Sequence, residues 1–177
     1  MDSREITQEM IRPHGGVLVD LYVSPKDAEQ ERRKARDLAS WDLTARQLCD
    51  IELLLNGAFS PLSGFLGRQD YESVVESMRL ADGTLWPIPV NLDVTQAFAD
   101  SVAAGDEIAL RDQEGVLIAT MTVEDIWQPD KAAEARGVFG TEDVTHPGVH
   151  YLMHQAQPVY LGGPLRGVES PIHYDVR

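Results

Sequence analysis

The chain has 177 residues, 43% hydrophobic and 25% charged, the balance of a globular protein able to bury a core of its own. Fifteen Lys and Arg stand against 29 Asp and Glu, a formal net charge of −14, which argues against nucleic acid, whose phosphates are held by cationic side chains, and against an anionic membrane surface. One cysteine, Cys49, excludes an internal disulfide or a cysteine zinc cluster and points to a reducing, cytoplasmic setting.

Residues 1–12 read as a mobile arm, polar at its start, with no signal-like apolar stretch. No apolar run reaches the length of a membrane span. Pro13-His14-Gly15-Gly16 is a turn, and Val17-Leu18-Val19 reads as a short strand. Ser24-Pro25 opens a helix: Ser24 can cap it, Pro25 suits the first helical position, and Asp27 completes a capping-box spacing. From Lys26 to Leu38 only Ala28, Ala35 and Leu38 are apolar, so this helix is expected to lie exposed. Thr44 and Gln47 form a second capping box. Leu48, Ile51 and Leu55 follow at helical spacing with Leu54 beside them, and Asn56-Gly57 ends the run. This is the expected core helix, with Cys49 as a small packed residue on it.

Ala58 to Gly67 reads as a loop pinned by Phe59 and Phe65. Asp70 is expected to cap a helix whose apolar stripe is Tyr71, Val74, Val75 and Met78. After the turn at Asp82-Gly83, Ile88, Val90, Leu92 and Val94 alternate with Pro89, Asn91 and Asp93, the pattern of a half-buried strand. Pro87 and Pro89 place its start at a sheet edge. A short helix fits Gln96 to Ala104. Strands follow at Ile108 and Leu110 and, after a hairpin turn at Asp112 to Gly115, at Leu117 to Glu124. Asp130 opens a helix to about Val138, and Pro147 opens another with Val149, Leu152 and Met153 facing inward. Gly162-Gly163-Pro164 reads as the turn of a hairpin within Gln157 to Val168. Helices of mixed length without regular β-α-β alternation give an α+β class with a curved antiparallel or mixed sheet.

Candidate chemistry is sparse. His146, His150 and His154 are spaced by four and would share a helix face, but no cysteine completes a metal site with them, and Glu142 and Asp143 are near in sequence only. Pro13-His14-Gly15-Gly16 could offer backbone N–H groups to an anion, although a structural turn is the simpler reading. Arg32, Arg33, Lys34 and Arg36 are the one basic cluster; Glu29, Glu31 and Asp37 interleave with them, as on an ion-paired helix face. Walker-type, dinucleotide-binding and nucleophile-elbow motifs are missing.

Several ordered segments resemble the front of the ATP sulfurylase (sulfate adenylyltransferase) family. They are Pro13 to Val19, Leu48 to Leu66, Met78 to Val90, Val138 to Asp143 and His146 to Val149. Ala58 stands where the family usually shows a second glycine, and Asp20 where asparagine is common. The resemblance implies a PUA-like domain over 13–170, a curved sheet or pseudo-barrel with surrounding helices, and at 171–177 the start of a linker to a catalytic domain. It also implies the parent reaction, in which sulfate attacks the α-phosphorus of ATP to give adenosine 5′-phosphosulfate and pyrophosphate.

The family's Gln-x-Arg-Asn, His-x-x-His and Gly-Arg-Asp-His segments belong to that next domain. Gln30-Glu31-Arg32-Arg33 and Gly67-Arg68-Gln69-Asp70 mimic two of them but depart at the decisive positions. The resemblance therefore implies no catalytic, cofactor or metal residue in this chain, with MgATP a substrate of the parent enzyme. It implies a structural and subunit-contact role beside a C-terminal catalytic domain, in a homo-oligomer. The alternative is a stand-alone PUA-like binding or regulatory module for RNA or a protein.

Overall fold

The computed structural model describes residues 11–172. The first ten residues of the expected arm and the expected lead-in from His173 onward lie outside them. In chain order the elements are α1 (Pro25–Lys34), β1 (Ala39–Asp42), α2 (Ala45–Leu55), β2 (Gly64–Phe65), α3 (Arg68–Ser77), β3 (Leu92–Val94), α4 (Gln96–Ala99), β4 (Glu107–Arg111), β5 (Leu117–Thr122), β6 (Asp125–Trp127), α5 (Lys131–Phe139), α6 (Pro147–His154) and β7 (Val159–Gly167).

Seven strands form the sheet, in the order β1-β4-β5-β7-β2, with β3 and β6 also paired to β7. β1 runs parallel to β4 and the other pairings are antiparallel. β7 is the hub. Its first half lies between β3 and β6, with Leu161 opposite both Leu92 and Ile126. Its second half lies between β5 and β2, with Leu165 opposite Met121 and Pro164 opposite Gly64. One strand thus serves two sets of neighbours and curls the sheet into a half-barrel, an α+β fold with six helices among the described residues.

This arrangement corrects the reading of Gly162-Gly163-Pro164. These residues are not a hairpin turn but the middle of a continuous nine-residue strand. The glycines serve close backbone approach. A Cβ on Gly163 would lie 1.9 Å from the Thr122 carbonyl oxygen, and one on Gly64 would lie 2.1 Å from that of Gly163.

α2 is the core helix. Its capping box forms as expected: the Thr44 side chain accepts from Gln47 N–H and the Gln47 side chain accepts from Thr44 N–H. Ile51, Leu54 and Leu55 are fully buried beside Leu92, Leu110, Ile118, Met121 and Leu161. Each such side chain contributes roughly 1.5–3 kcal/mol by leaving water. Cys49 sits on the opposite face and is exposed, which corrects its expected packing.

α1 begins with Ser24 Oγ accepting from Asp27 N–H, but the reciprocal half of the expected capping box does not form, because the Asp27 carboxylate accepts from Ser24 Oγ. It ends at Lys34 and is not exposed all round: Ala28, Glu31 and Ala35 are buried, the alanines in a small cluster with Ala109, Leu117 and Val168. Small side chains let the helix lie close to the sheet, and Glu31 is buried because it is fully partnered. Its carboxylate accepts from Thr120 Oγ1 and Arg166 Nε, each at 2.9 Å, and pairs with Lys34 at 3.0 Å. Burial alone would raise the Glu31 pKa, but these partners outweigh it and hold the carboxyl below its usual range.

Other expectations shift in detail. Val17-Leu18-Val19 forms no strand; Val17 and Leu18 are largely exposed, and the first β contact is a bridge from Tyr22 to Gly167. Asp70 does not cap α3. Gly67 holds that position, while Asp70 accepts from Ala81 N–H, and Met78 ends the helix exposed in a left-handed conformation. α4 is a single turn. β5 is buried on both faces over Leu117–Met121. The short strands β1, β2 and β6 fall where no strand is expected, β2 inside the expected loop Ala58 to Gly67. Asp130 does cap α5, accepting from Ala132 and Ala133 N–H.

The strand expected over 88–94 is shorter than its alternation. Only Leu92–Val94 pairs, since Pro87 and Pro89 cannot donate to a ladder. Ile88 is exposed, and both polar members, Asn91 and Asp93, are buried. That inversion builds the site described next.

Candidate functional site

The capping box fixes the start of α2, so Arg46 and Gln47 leave its first turn toward β3. There Asp93, 2% exposed, is their common partner. Asp93 Oδ1 accepts from Arg46 at 2.5 Å and from Gln47 Nε2 at 2.7 Å, and Oδ2 accepts from the Gln157 N–H at 2.7 Å. Gln47 also donates to the Asp93 carbonyl and accepts from Trp41 Nε1. Arg46 spends the rest of its guanidinium on Asp50, the Asn91 carbonyl and the Tyr151 hydroxyl. Burial works against the Arg46 charge, but Asp50 and Asp93 outweigh it and raise its pKa. Burial pushes the Asp50 carboxyl up, with Arg46 opposing.

A second buried carboxylate lies close by. Glu134 of α5 accepts from the Tyr71 hydroxyl at 2.9 Å and the Tyr160 hydroxyl at 3.0 Å. Tyr71, Trp127 and Tyr160 pack ring against ring around it, with centroids 5.5–5.8 Å apart. Burial raises the Glu134 pKa against the two hydrogen bonds, and burial together with the Glu134 charge raises both tyrosines far above their ordinary value.

Of these groups, Arg46, Asp50, Asn91, Asp93, Glu134 and Tyr160 line a cleft of about 610 Å³. Its walls are mainly apolar and include Phe59, Trp86, Ile88, Phe139, Tyr151 and Leu152. His14 also lines it: its ring packs on Trp86 at 5.9 Å, and Nε2 lies 2.7 Å from the Leu85 carbonyl oxygen. Pro13-His14-Gly15-Gly16 is therefore a turn that braces the cleft, closed by a hydrogen bond from Gly16 N–H to the Pro13 carbonyl.

The geometry is poor for group transfer. Four of the five Arg46 N–H donors meet Asp50, Asp93, the Asn91 carbonyl and Tyr151, and its charge faces two carboxylates. Three carboxylates, Asp50, Asp93 and Glu134, line the same space. The two tyrosines are held neutral as donors to Glu134.

Apart from His14, the residues singled out from sequence do not line the cleft. His150 and His154 stack on each other at 4.6 Å and His146 packs on Phe139 at 5.2 Å. Among the described residues no group of three or more His, Cys, Asp or Glu is placed to hold a metal ion. Arg32, Arg33 and Lys34 pair with Glu169, Glu29 and both Glu31 and Glu107. Of the two look-alike segments, one lies on α1 around buried Glu31. The other starts α3, where Arg68 donates its backbone N–H to Asp125 and pairs with Glu72. The cleft residues Arg46, Asn91, Asp93 and Glu134 escaped the sequence reading. An aspartate inside the apolar run Val90–Val94 was the signal that could have found Asp93; Glu134 carries none.

A family model described as a PUA-like domain matches residues 11–170. The chain belongs to the PUA-like domain family. Sulfate adenylyltransferase of Eremothecium gossypii is 52% identical over 169 residues, covering 94% of this chain and 33% of that protein. The enzymes of Kluyveromyces lactis and Saccharomyces cerevisiae are 50% and 47% identical over the same length. This PUA-like chain spans about a third of the length of the curated relatives it matches, and it corresponds to their N-terminal part. Among solved structures, a hexameric APS kinase from Thiobacillus denitrificans superposes with a TM-score of 0.74 at 30% identity, over 95% of this chain and 29% of that one.

Proposed function

We propose that this PUA-like domain is the non-catalytic, supporting part of a sulfate-activating enzyme. In that enzyme a C-terminal nucleotidyltransferase domain would convert ATP and sulfate to adenosine 5′-phosphosulfate and pyrophosphate, in the cytoplasm and in the service of sulfate assimilation. The carrying observation is the identity of about 50% to one third of several sulfate adenylyltransferases. The cleft supports the same reading, because the charge of its arginine is already offset by Asp50 and Asp93 and transfer at a charged phosphorus centre needs free cationic donors. The domain's part is then to hold the catalytic domain and to take up subunit contacts in a homo-oligomer, a reading supported by the hexameric solved neighbour. Neither a cofactor nor nucleic acid is assigned to it. The net charge of −14 is the reason for setting RNA aside.

Two measurements test this. The purified chain should release no pyrophosphate from ATP and sulfate above a blank. A chimera in which the chain replaces the matching third of the Eremothecium gossypii enzyme should retain turnover. Turnover by the chain alone overturns the non-catalytic role, and a folded but inactive chimera overturns the supporting one.

A further inference from the structure

Among the described residues three carboxylates are buried, those of Glu31, Asp93 and Glu134, and one of them is only half matched. Glu31 meets donors on both oxygens, Thr120 and Lys34 at Oε2 and Arg166 at Oε1. Asp93 does the same, with Arg46 and Gln47 at Oδ1 and the Gln157 N–H at Oδ2. Glu134, 6% exposed, takes both of its donors, the Tyr71 and Tyr160 hydroxyls, at Oε2 and leaves Oε1 without one. The cations that act on it are Lys131 and Arg46, and they direct their donors elsewhere: Lys131 Nζ to the Ala156 carbonyl, Arg46 to Asp50, Asp93, Asn91 and Tyr151. A charge withdrawn from water with no cation in contact loses hydration that nothing in the fold returns.

That open oxygen is accessible. The fully buried side-chain atoms without a partner, among the described residues, are Asn91 Oδ1 and Trp127 Nε1. Glu134 Oε1 is not one of them, so it keeps accessible surface, and the cavity that Glu134 lines is the cleft of about 610 Å³. The Asp, Glu, Lys and Arg side chains lining that cleft are Asp50, Asp93, Glu134 and Arg46, three carboxylates to one guanidinium. Asp50 in turn spends only Oδ2 on Arg46. Burial raises the Glu134 and Asp50 carboxyls, as it does where internal partners do not fully offset a charge. The rings of Phe59, Trp86 and Phe139 also line the space, and aromatic rings favour a cation over a neutral group. A cavity of this volume, mostly apolar with a few polar groups, has the form of a small-molecule site.

We propose that this cleft binds a small organic cation, an ammonium group on an aromatic or other apolar body, with Glu134 Oε1 accepting from its N–H. The excess of carboxylates selects the sign of the charge, the unmatched oxygen selects a donor, and the apolar walls select the body. The proposal concerns the cavity alone and is separable from the domain's place in a larger enzyme.

Four probes test it on the full chain, titrated into ¹⁵N-labelled protein at constant pH and salt: benzylammonium, benzyl alcohol, benzoate and Nα-acetyl-lysinamide. Benzylammonium should give saturable shifts centred on residues 86–93, 134–139 and 148–152. Benzyl alcohol keeps the shape without the charge and should bind at least about tenfold more weakly, with benzoate weaker still. Nα-acetyl-lysinamide presents the ammonium as a protein side chain would, and should also bind more weakly than benzylammonium. Glu134→Gln keeps an oxygen for the two tyrosine hydroxyls but removes the charge. It should weaken benzylammonium on the order of tenfold and leave benzyl alcohol unchanged. Glu114→Gln removes one charge at an exposed turn outside the cleft lining and should change neither. Absence of saturable benzylammonium binding overturns the proposal, as does equal binding of benzyl alcohol or benzoate. So does undiminished affinity in folded Glu134→Gln, or an equal loss in Glu114→Gln. Tighter binding of Nα-acetyl-lysinamide overturns the small molecule in favour of a protein side chain. The ranking of the probes needs no variant, and it decides the matter if Glu134→Gln does not fold.

Discussion

Asp93→Ala tests the internal architecture most directly. In the native chain this carboxylate receives three donors, from Arg46, Gln47 and the Gln157 backbone, with its side chain 3% exposed. Removing it leaves the Gln157 N–H and the Gln47 amide with lost partners and strips Arg46 of its most buried counterion. Loss of one partner of a buried pair costs about 3–5 kcal/mol, and the three losses share one site, so they do not simply add. We expect a destabilisation of about 3–5 kcal/mol, a large share of a typical domain's stability of about 5–15 kcal/mol. Asp93→Asn keeps one oxygen but turns an N–H toward a donor, so an intermediate loss of about 2 kcal/mol is expected. Asp50→Asn is the contrast, because Asp50 is more exposed and already raised by burial; there the expected loss is below about 1 kcal/mol. Urea denaturation reads all three as shifts of the midpoint at constant slope. An Asp93→Ala loss under about 1 kcal/mol, or no larger than that of Asp50→Asn, would refute the assignment of Asp93 as the anchor between α2, β3 and the segment after α6.

Two buried glutamates should respond to pH in opposite senses. Glu134 has a raised native pKa, so the folded state holds its proton more tightly than the unfolded one, and stability falls as pH rises above about 4.5. Relative to wild type, Glu134→Gln should gain in Tm between pH 5 and pH 8. Glu31 is lowered, so its contribution is complete above about 4.5 and is lost as pH falls through its native value. The deficit of Glu31→Gln should therefore be largest near neutrality and shrink in acid; melts across pH 3–8 check both signs. Gly64→Ala places a Cβ 2.1 Å from the Gly163 carbonyl oxygen and should cost more than about 3 kcal/mol by separating β2 from β7, measured by urea unfolding. Cys49 should react with Ellman's reagent in the folded protein at a rate near that of a free thiol, because it is exposed; protection until denaturant is added would contradict its placement.

Features that depend on a few neighbouring residues were legible before folding. The capping box at Thr44, the side-chain caps at Ser24 and Asp130 and the apolar spacing of Ile51, Leu54 and Leu55 are local chemistry, and each forms; at Ser24 only the cap forms and not the full box. Segment resemblance located the family, which the match over residues 11–170 bears out. Features that depend on distant partners were not legible. β1 has four residues and β6 three; both exist because β4 and β7 offer them a ladder. The exposure expected for α1 failed because Glu31 is buried on account of Thr120 and Arg166, which are 89 and 135 residues away in sequence.

The hardest positions are those where one residue type answers two opposite demands. Glycine relieves a turn, and it also relieves the contact between two backbones; Gly162-Gly163-Pro164 does the second while spelling the first. Strand alternation has the same ambiguity. In Val90–Val94 the polar members were assigned to solvent because water is the usual partner of an aspartate or an asparagine. In the folded chain Asp93 has Arg46, Gln47 and the Gln157 N–H instead, and these replace hydration group for group. Asn91 lies two residues away, equally withdrawn from water, and its side chain receives no such replacement. The same alternation therefore yields one satisfied anchor and one open amide. The difference between them is set by the first turn of α2, whose Arg46 reaches the carboxylate of Asp93 but only the backbone of Asn91.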